Sequence, residues 1–221
     1  MISLCLCTRK RPKAFKTLCK SAFDLANRPD DVEIVSYHDD DDPSVYEYCG
    51  NHKEIVGPRS IGIFAMWNAC QRAATGPIYM FVADDFYFMD AGWDTEVEKA
   101  FDQYPDKIVL VCPDGGYWRT WKFGVIGFVH KEWVDAVGYL FPEYSFSGNV
   151  DRWVNELAVM LDRRVRLSTR VEHSLIRDDD THKEKNRQGK LNEWTKKFMS
   201  PEAVEQREKD MLKLKAKMLL F

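Results

Sequence analysis

The chain has 221 residues, of which 45% are hydrophobic and 30% charged, as in an ordinary globular protein that can bury a core. Its formal net charge of -3 excludes a protein that is basic over its whole surface, so nucleic acid could be bound only by a local patch. The six cysteines lack the paired spacing of a zinc site, and we expect free thiols. The apolar opening, residues 1–7, is too short for a signal peptide or a membrane span, which predicts a cytosolic protein without membrane attachment.

Strands and helices alternate through the first half of the chain. Apolar runs predict strands at residues 2–7, 32–37, 54–56, 78–83 and 107–112. Apolar residues at helical spacing predict helices that begin at Pro12, cover 60–73 with a cap near Ser60, and cover 90–104. This alternation predicts an α/β fold with a mixed, mostly parallel sheet flanked by helices.

The second half combines loops rich in glycine and aromatic residues with further elements, predicted as a strand at 123–130, helices at 132–137 and 149–161, and a last strand at 164–169. The composition becomes strongly charged near residue 176. We therefore divide the chain into a domain at 1–176 and a C-terminal extension at 177–221. Ser200 and Pro201 predict the start of a final helix. Its apolar stripe should pack on the domain or on a second copy as a homodimer, and comprises Val204, Met211, Leu214, Met218 and Phe221.

Two adjacent carboxylates, Asp84 and Asp85, follow directly after the apolar run that ends at Ala83. In an open α/β sheet, ligands bind in the crevice beyond the carboxyl ends of the strands. The pair is therefore placed to meet a metal and a ligand. A solvated acidic turn is the alternative that these two residues alone do not exclude.

Two other strand ends lead into the same predicted crevice. Residues 8–11 place three positive charges at a helix start, where they oppose the helix dipole and suit an anion such as a phosphate. Residues 39–42 are four successive aspartates that could accept hydrogen bonds from a nucleobase or ribose, and the sequence leaves open which of them faces the ligand. For both runs the alternative is a solvated surface.

Together these motifs resemble the GT-A-fold glycosyltransferases, in particular the family-2-like inverting enzymes that use nucleotide sugars. The resemblance covers residues 1–176. It implies that the donor, such as a UDP-sugar, is bound by Thr8, Arg11, Asp39, Arg59, Asn68 and Asp84. It also implies that Asp85 and His173 hold a divalent cation, Mn or Mg, which neutralises the diphosphate of the leaving nucleotide.

An inverting transfer needs a base that takes the proton from the acceptor hydroxyl. The resemblance places a carboxylate in the second half, which makes Asp151 the candidate, with Asp114 and Glu143 as rivals. The family's common Glu-Asp pair is absent here, so the sequence fixes neither the base nor the stereochemistry. An acid in the first turn of a helix also suits the helix dipole without any catalytic role.

The acceptor is implied only by likeness to small phage and bacterial enzymes that glycosylate soluble targets. It would be a hydroxyl group on a hydroxymethylated base of phage DNA, a glycan or a small molecule, in the cytoplasm or, for a viral protein, the host cytoplasm. The basic residues of the first loop and those from Lys183 to Lys197, interleaved with Trp194 and Phe198, would supply a DNA patch, with a solvated charged face as the alternative. Two other functions compete: a non-catalytic nucleotide or metal-binding module, and a sugar-nucleotide pyrophosphorylase, which should have a glycine-rich first loop.

Overall fold

The computed structural model describes residues 1–59, 62–115, 126–142, 150–173 and 196–221. The strands are β1 Ile2–Thr8, β2 Val32–Asp39, β3 Asn51–Gly57, β4 Ile78–Phe81, β5 Phe86–Phe88, β6 Leu110–Asp114, β7 Gly127–His130 and β8 Arg164–His173. The helices are α1 Pro12–Asp24, α2 Ile63–Ala73, α3 Trp93–Asp102, α4 Lys131–Val137, α5 Val150–Met160 and α6 Pro201–Met218, with a 3-10 turn at Pro29–Asp31.

The strands form one sheet in the order β3-β2-β1-β4-β7-β6-β8-β5. Strands β3, β2, β1 and β4 are parallel, as are β6 and β8. Strand β7 runs antiparallel to both of its neighbours, and β5 runs antiparallel to β8. The predicted mixed, mostly parallel sheet is therefore confirmed.

Two hydrophobic clusters cover the two faces of this sheet. Successive residues of β1 alternate between them, with Leu4 and Leu6 in one cluster and Cys5 in the other, as the pleat of a strand requires. The first cluster packs against α1 and α3 through residues such as Phe15 and Trp93. The second packs against the other helices and contains Trp67, Trp133, Trp153 and Phe198. The sheet is thus buried on both faces, which explains its continuous apolar runs.

Strand β5 was not predicted, and β8 extends four residues beyond the predicted end at Thr169. Both differences have one cause, because Phe86–Phe88 pairs with Val171–His173 across 85 residues of sequence. A three-residue strand is too short to show periodicity, and its pairing partner is remote. The pairing matters for function because it brings the end of β8 next to the acidic pair.

Helix α6 packs on α4 and α5, so the C-terminal helix belongs to the same compact body as the sheet. Ser200 caps it as predicted, accepting a hydrogen bond from the amide of Ala203. The predicted apolar stripe is partly wrong, because Val204 is 37% exposed and Phe221 68% exposed. The other three members are placed as predicted, because Leu214 belongs to the second cluster and Met211 and Met218 pack against it. The buried residues of the helix are Ala203, Arg207, Asp210 and Leu214.

The polar members of that face are accommodated by specific partners. The indole of Trp153 donates to Asp210 at 3.2 Å, and Arg207 donates to the carbonyl of Phe198 at 2.8 Å. A periodicity argument assigns such charged residues to solvent, which is why Arg207 and Asp210 were not predicted on the buried face. Within the described ranges, no helix is long and apolar enough to cross a membrane.

Candidate active site

The site begins where two adjacent parallel strands end. Thr8 is the last residue of β1, and Asp84 lies three residues beyond β4, which pairs with β1. The Thr8 hydroxyl donates to Asp84 Oδ2 at 2.8 Å, and both residues are almost fully buried. The first predicted donor-binding loop and the predicted acidic pair are therefore in direct contact.

Arg11 connects this contact to the second acid of the pair. It occupies the position just before α1, and its Nη1 lies 2.9 Å from Asp84 Oδ1 and 3.4 Å from Asp85 Oδ2. A guanidinium between two carboxylates offsets their mutual repulsion. The positive charge of Arg11, which the sequence predicted would bind an anion, therefore faces the two aspartates in this structure.

The two neighbouring acids have opposite pKa shifts. Burial raises the pKa of Asp84 to about 6, although the charge of Arg11 opposes the shift. Burial would also raise the pKa of Asp85, but its hydrogen bond to His173 and the charges of His173 and Arg11 outweigh burial and lower it. Asp85 is therefore held as a carboxylate, which is the form that binds a cation.

His173, the last residue of β8, is delivered to Asp85 by the β5–β8 pairing. Its Nε2 lies 3.3 Å from Asp85 Oδ2, and its ring packs edge-on against Phe86 with 4.6 Å between the ring centroids. The structure therefore brings together the two residues predicted to bind a metal, although they are 88 positions apart in sequence.

The donor set fits a hard divalent cation. Asp85 Oδ1 is buried and has no hydrogen-bond partner among the described residues, which leaves one carboxylate oxygen available. Carboxylate and imidazole are ligands that suit Mn²⁺. In the described ranges, no group of three or more acidic, histidine or cysteine side chains is gathered for a metal. Any ion here would take further ligands from water and a bound phosphate, as Mg²⁺ and Mn²⁺ commonly do.

The four aspartates at 39–42 differ in their burial and in their contacts. Asp39 is only 8% exposed and accepts a hydrogen bond from Arg9 at 3.1 Å, and burial raises its pKa against the opposing charge of Arg9. Asp40 and Asp41 are exposed, and Asp41 also bonds to Arg9. Asp42 turns back to accept from the amide of Lys10 at 2.8 Å. Asp39 is therefore the most buried of the four acids, and its contact with the ligand stays a prediction.

Arg59 and Asn68 differ in where they point. Arg59, just after β3, lies 3.8 Å from Asp41 and so joins the acidic loop. The amide of Asn68 is committed to the backbone of Leu140 and Phe141: it donates to one carbonyl at 2.7 Å and accepts from both amides at 3.0 Å. The hydrogen-bond partners expected for a half-buried asparagine are thus protein groups that hold the turn after α4.

The candidate base and its rivals lie on other elements. Asp151 is in the first turn of α5, and its Oδ1 accepts from the amide of Arg152 at 2.9 Å. Asp114 ends β6 and forms an ion pair with Arg166 at 2.7 Å. Glu143, Ser60 and residues 177–195 lie outside the described residues. Asp151 and Asp114 each have a protein partner before any acceptor is bound.

Comparison with solved structures identifies the architecture. No protein-family model matches the chain, and no curated protein matches its sequence. Residues 1–349 of S. aureus TarS, in complex with UDP-GlcNAc, superpose with a TM-score of 0.61 at 14% identity, over 98% of this chain and 81% of that one. The mannosyltransferase PcManGT from Pyrobaculum calidifontis, in complex with GDP-Man and Mn²⁺, superposes with a TM-score of 0.63 at 11% identity, over 98% and 73%. The chain has a GT-A-type fold. It spans 44% of a longer TarS structure, which it matches with a TM-score of 0.58.

Arg9 is the residue of this GT-A-type fold that sequence reasoning missed. It was seen only as part of a basic run, yet it holds both Asp39 and Asp41. The sequence does not reveal the strand order behind this contact: in the structure β1 and β2 are parallel neighbours with Thr8 opposite His38 in register. The loops that follow them must then lie side by side, which pairs a basic loop with an acidic one.

Proposed function

We propose that the protein is a metal-dependent glycosyltransferase that moves a sugar from a nucleotide-sugar donor to a hydroxyl group. The observation that carries this proposal is the convergence of Thr8, Arg11 and His173 on the Asp84–Asp85 pair at the sheet edge. The GT-A-type fold supports it, since structures with that fold were solved with UDP-GlcNAc or with GDP-Man and Mn²⁺.

Asp85 and His173 are the residues that would hold the cation. A bound Mn²⁺ or Mg²⁺ would neutralise charge on the leaving nucleoside diphosphate. Asp85 is suited to this role by its lowered pKa and by its buried Oδ1, which has no hydrogen bond to any residue that the structure describes. Before a ligand binds, the positive charge of Arg11 offsets the repulsion between the carboxylates of Asp84 and Asp85. The same guanidinium lies where we expect the diphosphate.

The donor would be held by residues from several loops. Asp39 is the buried acid placed for the base or ribose, and Arg9 fixes its carboxylate. Asp84, held by Thr8, is placed for the ribose or sugar. Asn68 would act on the donor indirectly, because its amide fixes the 140–141 turn. Arg59 would contribute through the acidic loop that it joins.

For the chemical step, we propose an inverting transfer in which Asp151 takes the acceptor proton. The acceptor hydroxyl then attacks the anomeric carbon, the bond from that carbon to the diphosphate oxygen breaks, and the nucleoside diphosphate leaves. Asp114 and Glu143 remain the rival bases. Hydroxymethylated DNA is a proposed acceptor class, with glycans and small molecules as the others.

Incubation with a panel of nucleotide sugars tests this function without a known acceptor. We expect slow release of nucleoside diphosphate from one donor in the presence of Mn²⁺, and its loss on addition of EDTA. Addition of a hydroxymethylated DNA duplex would accelerate release only if DNA is the acceptor. Release of a nucleoside triphosphate on addition of pyrophosphate would instead indicate a pyrophosphorylase, and binding without any turnover would indicate a non-catalytic module.

A further inference from the structure

The C-terminal half of α6 has a second apolar face that does not pack on the domain. Leu214 is fully buried, whereas Leu212 is 60% exposed and Leu219 is 86% exposed. At 3.6 residues per turn, Leu212, Ala216 and Leu219 lie on the side of the helix opposite Leu214. The next two residues, Leu220 and Phe221, are 74% and 68% exposed. Large apolar side chains concentrated in this way usually mark an interaction surface.

The charges at the C-terminal end of this face have one sign, whereas Glu208, one turn before Leu212, is exposed on the same side of the helix. Residues 211–221 contain three lysines and no acid, and all the acids of α6 come before Met211. Lys213 and Lys215 are exposed on either side of the apolar line. Lys217 instead forms an ion pair with Glu132 of α4 at 2.6 Å, which ties the helix to the domain. The outer face is therefore a preformed surface with an apolar centre and basic flanks.

We propose that this surface, formed by Leu212, Lys213, Lys215, Leu219, Leu220 and Phe221, docks on an anionic lipid bilayer. Apolar side chains flanked by lysines are the composition of interfacial helices, whose leucine and phenylalanine side chains enter the headgroup boundary. The negative surface potential of anionic lipids attracts the two lysines and thereby strengthens binding. The protein would lie on the membrane without crossing it, which revises the expectation of no membrane attachment.

The charges favour this occupant over a second copy of the chain. A two-fold symmetric contact centred on this surface would bring Lys213 and Lys215 of both copies together, and like charges oppose such a contact. An anionic bilayer instead presents negative charge to the same lysines and attracts them. The proposal is independent of the proposed enzymatic function, because none of its residues belongs to the candidate active site.

Vesicle flotation of the full chain tests the proposal. We expect binding to vesicles that contain phosphatidylserine, little binding to pure phosphatidylcholine vesicles, and weakening as salt is raised. The double variant Leu219→Glu/Leu220→Glu should lower the partition coefficient by about tenfold or more. Lys213→Glu/Lys215→Glu should also weaken binding. The matched control Val56→Glu changes an exposed valine on β3, at the far edge of the sheet, and should bind like the wild type.

Several outcomes would overturn the proposal. The first is that the wild type does not bind phosphatidylserine vesicles at low salt. The second is that Leu219→Glu/Leu220→Glu binds these vesicles as well as the wild type does. Sedimentation of the same samples without lipid tests the alternative that a second copy of the chain covers this surface. A wild-type dimer that becomes monomeric in the leucine variant, with no vesicle binding, would show that the surface is covered by a second copy.

Discussion

At the scale of single residues, the site depends on two adjacent aspartates with different surroundings. Asp84 is 3% exposed and contacts Thr8 and Arg11, whereas Asp85 contacts His173 and has one oxygen with no hydrogen-bond partner in the described part of the chain. Burial dominates for Asp84 and specific partners dominate for Asp85, which shifts their pKa values in opposite directions. The two carboxylates are thereby suited to different tasks.

The raised pKa of Asp84 predicts a specific dependence of stability on pH. The fold favours the protonated form, so this contribution is fully present below the ordinary pKa of 3.8 and is lost as pH rises through about 6. The Asp84→Asn variant cannot ionise. In metal-free urea unfolding, the free energy of unfolding of the wild type minus that of the variant should therefore fall by up to about 3 kcal/mol across this interval. A difference that is constant or rises with pH would contradict the assignment.

Asp151→Asn tests the base. The amide keeps the shape of the side chain but cannot take a proton, so donor affinity should survive while transfer falls by roughly two to four orders of magnitude. Steady-state kinetics and donor titration check both quantities. If Asp151 only complements the helix dipole, the change costs at most about 1 kcal/mol of stability and transfer stays within a few-fold of wild type.

The rivals and a control complete that experiment. Asp114→Asn and Glu143→Gln, measured under the same conditions, show which carboxylate holds the role if Asp151 does not. Asp135→Asn removes a carboxylate that is ion-paired with Lys131 on the surface of α4. It should leave both binding and transfer unchanged, because such surface pairs contribute little.

At the scale of elements, the sequence predicted contacts between neighbouring strands better than contacts between distant ones. The ends of β1, β2 and β4 could be placed at one edge because apolar runs mark buried parallel strands. His173 was proposed from the family resemblance alone. The β5–β8 pairing that carries it to Asp85 leaves no local pattern in three residues. The Arg9–Asp39 contact could have been inferred from strand order, which the sequence does not reveal.

Helix α6 gives a second prediction at this scale. Asp210 is fully buried and accepts hydrogen bonds from Tyr139, Trp153 and Gln206. Asp210→Ala leaves buried donors without an acceptor and should lower the free energy of unfolding by about 2–4 kcal/mol. Exposed Glu208 on the same helix is the control, and Glu208→Ala should cost less than about 0.5 kcal/mol. Equal effects in urea unfolding would show that α6 is not anchored through Asp210.

At the scale of the whole molecule, the order of strands and helices along the sequence was enough to predict the architecture. Alternating strands and helices predicted the mostly parallel sheet, and the strand pairings confirm it. The packing side of α6 was predicted through Met211, Leu214 and Met218. Its charged members were not, since Arg207 and Asp210 look solvent-exposed in sequence and become buried only through partners on other elements. Buried charge is specified by tertiary contacts, which periodicity does not encode.

We propose that the sheet edge binds a nucleoside diphosphate through a divalent cation held by Asp85. Calorimetric titration of the wild type with a nucleoside diphosphate tests it most directly, with Mn²⁺ and then with EDTA. We expect tight binding only with the metal, and Asp85→Ala in Mn²⁺ should bind as weakly as the chelated wild type. Asp102→Ala, which removes an exposed acid at the end of α3, should bind like the wild type. Equal affinity of the wild type with and without EDTA would contradict the account.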